Sequence, residues 1–180
     1  MKKIILVVVL LSFALPLQAQ RHPKEEACFE KLRNGEAKGL RGICEHVITP
    51  DFVNDELSYI TRFKKAAGVL PEDSEEEVNR KIRQVWSEYE DCLTCDTIAF
   101  SLRGGSILKA AHVSGNATFY RTVIKWGVNL NRIDPVDGKT VLDFFRDELN
   151  KNPPGIEFYR VYYNVLKEHG AKHASEILTK

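Results

Sequence analysis

The chain has 180 residues, of which 26 are lysine or arginine and 25 are aspartate or glutamate. This length suffices for one complete hydrophobic core. The near-neutral charge gives no reason to expect nucleic acid or an anionic membrane surface as a partner. We therefore expect one compact domain whose partner is neither a nucleic acid nor an anionic membrane.

Residues 1–19 have the pattern of a secretory signal peptide. Lys2 and Lys3 form a charged start, an apolar run follows, and Ala19 ends the cleavage site. The run is shorter than the roughly 20 residues of a membrane-spanning helix, which argues against the alternative of a membrane anchor. We expect a mature protein of residues 20–180 that is soluble in the periplasm or secreted and does not insert into a membrane after cleavage.

Residues 20–100 contain two amphipathic patterns that predict helices. Thr49 and Pro50 have the features of a helix start, apolar residues follow on one face, and Gly68 ends the pattern. Residues 74–77 have the form of a capping box and begin a second helix, whose apolar stripe reaches Tyr89. These residues are predicted to form an N-terminal helical unit.

The four cysteines are Cys28, Cys44, Cys92 and Cys95. An even number in an exported chain predicts disulfides, for which three connectivities are possible. Pairing Cys28 with Cys44 and Cys92 with Cys95 is our preferred interpretation, and the two crossed arrangements stay open. The last two also have C-x-x-C spacing, so a thiol-active envelope protein is the alternative function. An amphipathic helix runs into Cys92 instead of starting there, which favours structural disulfides.

A pattern of helix-forming and helix-ending residues occurs twice between residues 104 and 171. In the first copy Ser106 and Leu108 begin a helix, Gly115 separates it from the next, and Gly127 ends that second helix. In the second copy the corresponding positions are Thr140, Leu142 and Gly170. This resembles the ankyrin repeat, which opens with G-x-T-P-L-H-x-A and closes its second helix with a glycine.

The departures from the ankyrin pattern are local. Ile107 and Val141 stand at the proline, and the histidine is Lys109 in the first copy and Asp143 in the second. The second copy carries an insert of roughly ten residues around residues 150–155, judged against the usual period of about 33. One extra residue between the copies falls in residues 132–137, the β-turn finger.

The resemblance implies an all-α fold. Residues 101–180 would form an ankyrin-like stack of helical repeats at the C-terminal end. Residues 20–100 would form a disulfide-containing cap, because the apolar end of a repeat stack must be covered.

The resemblance also implies a protein-binding module, since partners of this family meet the finger and the exposed edge of each first helix. We expect the side chains of the finger to project into solvent, apart from those that make its turn. The positions carried over are Arg103, Gly105, Val113, Ser114, Arg132, Ile133, Pro135, Val136, Lys139, Asp147 and Glu148. With the signal peptide, the chain is similar to periplasmic immunity proteins that neutralise toxins delivered between bacteria, an interpretation that rests on analogy of fold.

The sequence favours a binding protein over an enzyme, and it implies no cofactor or metal. His169 and His173 have a spacing that suits a metal on a helix, but Gly170 ends the helix between them. No G-x-S-x-G, P-loop or H-E-x-x-H pattern occurs, and the cysteines lack the paired spacing of a zinc site. A structural envelope protein is a further alternative. Aromatic positions predicted to pack, in preference to forming a contact surface, are Trp126, Tyr162 and Tyr163, whereas His112 is predicted to be either a packing or a surface residue.

Overall fold

The computed structural model describes residues 58–93, 106–114 and 117–179 and the single positions Glu30, Leu40, Ile43 and Val47; of residues 113 and 114 it describes the backbone alone. Among these residues there are seven α-helices with defined bounds and no strand, so the predicted all-α class is confirmed. The helices are α1 (Tyr59–Ala66), α2 (Glu75–Tyr89), α3 (Ile107–Ala110), α4 (Ala117–Trp126), α5 (Val141–Asn150), α6 (Ile156–Glu168) and α7 (Ala174–Leu178). A 3₁₀ turn, Ala111–Ser114, follows α3.

The predicted helix start at Thr49 and Pro50 lies outside the described residues, and helix α1 begins at Tyr59. Ser58 has extended backbone dihedrals (φ −56°, ψ 149°), and its side-chain oxygen accepts a hydrogen bond from the N–H of Thr61 at 3.2 Å. A single helix from Pro50 to residue 67 is therefore wrong, because Ser58 caps a new helix inside that range. The predicted end is confirmed, since Gly68 has a φ of +61°.

Helix α2 begins where the sequence predicts. The Ser74 hydroxyl oxygen accepts a hydrogen bond from the N–H of Glu77 at 3.2 Å, which satisfies one of the free donors at the helix start. The carboxylate of Glu77 accepts hydrogen bonds from Arg80 at 2.6 and 2.8 Å. Within α2, Ile82, Trp86 and Tyr89 are buried, which confirms the predicted apolar stripe.

The C-terminal helices form two hairpins. The first hairpin consists of α3, its 3₁₀ turn and α4, and the second consists of α5 and α6. Helix α3 contacts α5, and α4 contacts α6, so that first helix packs on first helix and second on second. Gly127 and Gly170 have φ angles of +69° and +88° after the second helix of each hairpin, where a left-handed residue ends the helix. The predicted insert forms the α5–α6 connection, with a left-handed Gly155 before α6.

The N-terminal helices pack on one side of the first hairpin. Trp126 of α4 lies with its ring centroid 5.3 Å from that of Phe63 and 6.3 Å from that of Tyr59, both on α1. The Tyr59 hydroxyl donates a hydrogen bond to the Thr122 hydroxyl at 3.3 Å, and α2 also contacts α4. Trp126 is therefore a packing residue, as predicted, and it joins the two halves of the chain.

Tyr162 is likewise buried, with its ring centroid 4.9 Å from that of Tyr120 and 5.7 Å from that of Phe145. Tyr163 is half-buried beside His173. The ring of His112 lies 5.0 Å from that of Phe144, so of the two predicted roles, packing or surface, the structure shows packing. These contacts join the two hairpins through an aromatic core.

Cys92 is the only cysteine of the four that lies within the described residues. It is buried just after α2 and is disulfide-bonded. Cys28, Cys44 and Cys95 lie outside the described residues, so the pairing stays a prediction. None of the described helices is both long and apolar enough to cross a membrane.

Candidate interaction site at the finger

The connection from α4 to α5 is anchored at its first half by apolar and amide side chains. Val128 and Leu130 are buried in the core. The Asn131 side chain then links this connection to the one after α6. Its oxygen accepts a hydrogen bond from the N–H of Lys172 at 2.7 Å, and its amide nitrogen donates to the carbonyl of Gly170 at 3.1 Å. Asn131, which immediately precedes the finger, thus bridges two loops.

The base of the finger holds a buried ion cluster centred on Lys109. Its ammonium lies 2.7 Å from a carboxylate oxygen of Asp137 and 3.3 Å from one of Asp134. The side chains of Lys109 and Asp134 are each 1% exposed. A buried charge is tolerated only when it is paired and hydrogen-bonded, so these partners are a condition for placing Lys109 in the core.

Asp134 also shapes the finger through backbone bonds. Its carboxylate accepts the N–H of Ser106 at 3.3 Å and that of Val136 at 3.0 Å. Its own N–H donates to the carbonyl of Lys139 at 3.0 Å, and its carbonyl accepts the N–H of Gly138 at 2.8 Å. The turn is therefore closed on both sides, and one buried carboxylate holds it against the first hairpin.

Arg132 does not project into solvent, contrary to the expectation for the finger. Its side chain is nearly buried, and its guanidinium donates two hydrogen bonds to one carboxylate oxygen of Asp91 at 3.1 and 3.2 Å. The other terminal nitrogen is buried, forms no hydrogen bond with a described residue, and lies 3.8 Å from Asp134. The expectation of a solvent-facing side chain is wrong for Arg132 and for Asp134, because both pair with groups distant in sequence.

The tip of the finger is exposed. Pro135 is open to solvent, Val136 is 45% exposed, and Ile133 is half-buried. These three residues are chain neighbours of Asp134, whose carboxylate accepts a hydrogen bond from the N–H of Val136. The finger therefore presents an apolar tip on a base that its own ion pairs hold in place.

The remaining predicted contact residues differ in exposure. Lys139 is exposed and lies 2.6 Å from Asp147, which is partly exposed. Glu148 is buried and pairs with Lys151 at 2.6 Å, so its assignment to an exposed edge is wrong: it lies on the inward side of α5. Arg103 and Gly105 lie outside the described residues, as do the side chains of Val113 and Ser114.

A second cluster beside the finger was missed by the sequence interpretation. Asp143 caps α5 together with Thr140 in a complete capping box. It also accepts a hydrogen bond from the N–H of Ala174 at 2.8 Å and contacts the His173 ring nitrogen at 2.8 Å and Arg146 at 2.9 Å. The T-x-x-D spacing could have predicted the cap from sequence. The contact of Asp143 with α7 could not be predicted, because it joins residues that are distant in sequence.

The other ring nitrogen of His173 lies 3.2 Å from the hydroxyl of Tyr163. The order of carboxylate, histidine and hydroxyl is that of a catalytic triad. The row joins α5, α6 and α7, and the ammonium of Lys167 lies 5.6 Å from the centre of the Tyr163 ring. We interpret this row of three side chains as a contact that holds α7 against α5 and α6. The described residues contain no group of three or more potential metal ligands.

Two pKa shifts report on these clusters. Burial pushes the pKa of Asp143 upward, but the hydrogen bonds from Ala174, Thr140 and His173 outweigh it, so the pKa lies below its ordinary value. The hydrogen bond to Asp147 raises the pKa of Lys139. Both groups are therefore held in their charged forms at neutral pH.

Asp143 should contribute a pH-dependent part of the stability. Its folded pKa is below that of the unfolded carboxyl, about 4, so the contribution is present above about pH 4 and is lost as the pH falls through the folded pKa. Asp143→Asn should remove this contribution and flatten the acid-side loss of stability. Urea unfolding at a series of pH values checks this. A variant curve that parallels that of the wild type at a constant offset would contradict it.

Comparison of the chain with models of protein families, with curated proteins and with solved structures finds no match.

Proposed function

We propose that this chain is an exported protein-binding module with ankyrin-like helical repeats, and that it acts as an inhibitor or immunity protein for a protein toxin in the periplasm. Two helical hairpins that pack first helix on first and second on second support the repeat interpretation. The connection between them, closed at the turn of Asp134 and Gly138, takes the place of the repeat finger. The signal-peptide pattern of residues 1–19 supports export.

The observation that carries the binding role is the exposed tip of the finger on a fixed base. Pro135 and Val136 present apolar surface, and the N–H of Val136 donates a hydrogen bond to the carboxylate of Asp134. Binding costs less when the contacting loop is already ordered, because less conformational entropy is lost. Apolar side chains near the centre of an interface provide much of its affinity. This tip therefore suits an anchor for a protein partner.

Binding is favoured over thiol chemistry by the surroundings of Cys92. Reactive cysteines lie in partly exposed, electropositive sites. Cys92 is buried against the core after α2. We therefore propose that Cys92 has a structural role and that the chain acts by binding and not by thiol chemistry.

Val136→Glu should abolish or strongly weaken capture of the partner. A buried anchor costs about 2 kcal/mol or more when it is lost, which is roughly a thirtyfold change in affinity. The experiment is affinity capture from periplasmic extract on the immobilised mature protein, with the captured protein identified by mass spectrometry and its affinity then measured with purified material. Circular dichroism of each variant verifies the fold.

Val161→Glu is the matched control for Val136→Glu, because Val161 of α6 is a valine of similar exposure, 49% against 45%, away from the finger. Capture should survive this change. Leu142→Ala is the unfolding control, since truncating this buried leucine should cost about 2–5 kcal/mol. If the wild type and the folded Val136→Glu variant bind the partner with equal affinity, the finger is not part of the binding site. Failure of the wild type to capture any protein would contradict the proposed function.

A further inference from the structure

We infer that the edge beside the finger recognises an acidic protein surface with an apolar recess that accepts Val136; this inference rests on the proposed function, since it describes the partner of the same site. The edge consists of the exposed tip and three cations, Lys139, Arg146 and Lys172.

The cations of this edge lie further out than the carboxylates that they contact. Lys139 and Arg146 are each 47% exposed, whereas their partners Asp147 and Asp143 are 31% and 6% exposed. Asp143 is directed inward by its hydrogen bonds to Thr140 and Ala174. A partner that approaches from solvent therefore meets positive charge first, even though the four side chains sum to zero.

Lys172 adds a third cation, and hydrogen bonds hold its backbone beside the finger. Its carbonyl accepts a hydrogen bond from the Thr140 hydroxyl at 2.8 Å, and its N–H donates to Asn131 at 2.7 Å. Thr140 is the chain neighbour of Lys139, so these bonds hold the backbone of Lys172 close to that lysine. Among the described residues no carboxylate forms an ion pair with the ammonium of Lys172, which leaves it available to a partner.

The apolar tip and the cations belong to one rigid unit. The N–H of Lys139 donates to Asp137 at 3.0 Å, and Asp137 is itself bound by the buried Lys109. Val136 and Lys139 are thus held by two adjacent carboxylates of the same cluster. A partner must match both groups at once, which selects a surface with an apolar recess bordered by acidic residues.

Charge complementarity of this kind mainly raises the association rate and the specificity. The pair Lys139–Asp147 is at the surface, where ion pairs gain little stability in water, so exchanging Asp147 for a partner carboxylate costs little. A nucleic acid could also meet cations, but it offers no apolar recess for Val136. The acidic protein surface is therefore favoured.

The test uses defined probes with the mature protein: a short synthetic glutamate-rich peptide with one phenylalanine, a lysine-rich peptide of the same length, and a single-stranded DNA oligonucleotide. NMR titration at low and at moderate salt should show binding of the acidic peptide alone, with shifts confined to the edge. Lys139→Gln combined with Lys172→Gln should weaken it about two- to thirtyfold. Higher salt should weaken it as well.

The matched control neutralises Lys125, which pairs with Glu75 at 2.9 Å as Lys139 does with Asp147, and Lys64, an exposed lysine like Lys172. This Lys64→Gln and Lys125→Gln variant should bind the acidic peptide like the wild type. Equal binding of the lysine-rich peptide, tighter binding of the oligonucleotide, or an equal loss in the control variant would overturn the inference.

The two proposals fail separately. If extract capture finds no partner while the acidic peptide binds the edge, the proposed function fails and the chemistry of the surface stands. If the wild type and the Lys139→Gln, Lys172→Gln variant hold a captured protein with equal affinity at every salt concentration, the function stands and this inference fails.

Discussion

Lys109→Met should lower the free energy of unfolding by about 3–5 kcal/mol, because it leaves Asp134 buried without its cation. Methionine retains the length of the apolar stem, so little of the loss comes from a cavity. Among the described residues, the other cation near Asp134 is Arg132, which lies 3.8 Å away and is already paired with Asp91. Urea or thermal unfolding followed by circular dichroism measures the change.

Lys125→Met is the control for this substitution. Lys125 also forms an ion pair, with Glu75, but both side chains are exposed, and such pairs contribute about 0–1 kcal/mol. Combining Lys109→Met with Asp134→Asn should cost less than the sum of the two single changes, since the orphaned charge is gone. Equal stability of Lys109→Met and Lys125→Met would show that the cluster is not a stabilising part of the core.

Trp126→Ala should cost about 3–5 kcal/mol, the range for truncating a large buried aromatic residue. Trp126 is almost fully buried, and its ring packs edge-on against Tyr59 and Phe63 of α1. Its removal should therefore loosen the contact between α1 and α4 as well as lower the overall stability. Hydrogen exchange of the α1 and α4 amides measures the local loosening, and urea unfolding of the whole protein measures the loss of overall stability.

Phe158→Ala is the control for the loss of an aromatic ring. Phe158 of α6 is 64% exposed, and surface substitutions usually change stability by less than about 0.5 kcal/mol. If the two variants unfold at the same urea concentration, the α1–α4 contact does not hold the halves together, and the packing described for Trp126 is wrong.

The helix ends and the core positions could be predicted from sequence because local chemistry determines them. Ser74 offers its hydroxyl to the N–H three residues later, and Gly127 and Gly170 adopt the positive φ angles that end a helix. Leu108 and Leu142 are buried as the repeat pattern predicts. The start of α1 was missed because Ser58 caps a helix inside the predicted range, a choice that the local pattern does not reveal.

By itself the sequence determined the all-α class, the buried leucines, the glycine-ended helices and the turn before α5, because each depends on neighbours within a few residues. Only the tertiary structure decided which charges are buried. Lys109 meets Asp134 and Arg132 meets Asp91 across long stretches of chain. From sequence alone, a charged residue in a loop is predicted to be exposed to solvent, because its partner is not known. Burial of a charge is tolerated only when folding brings the opposite charge within hydrogen-bond distance.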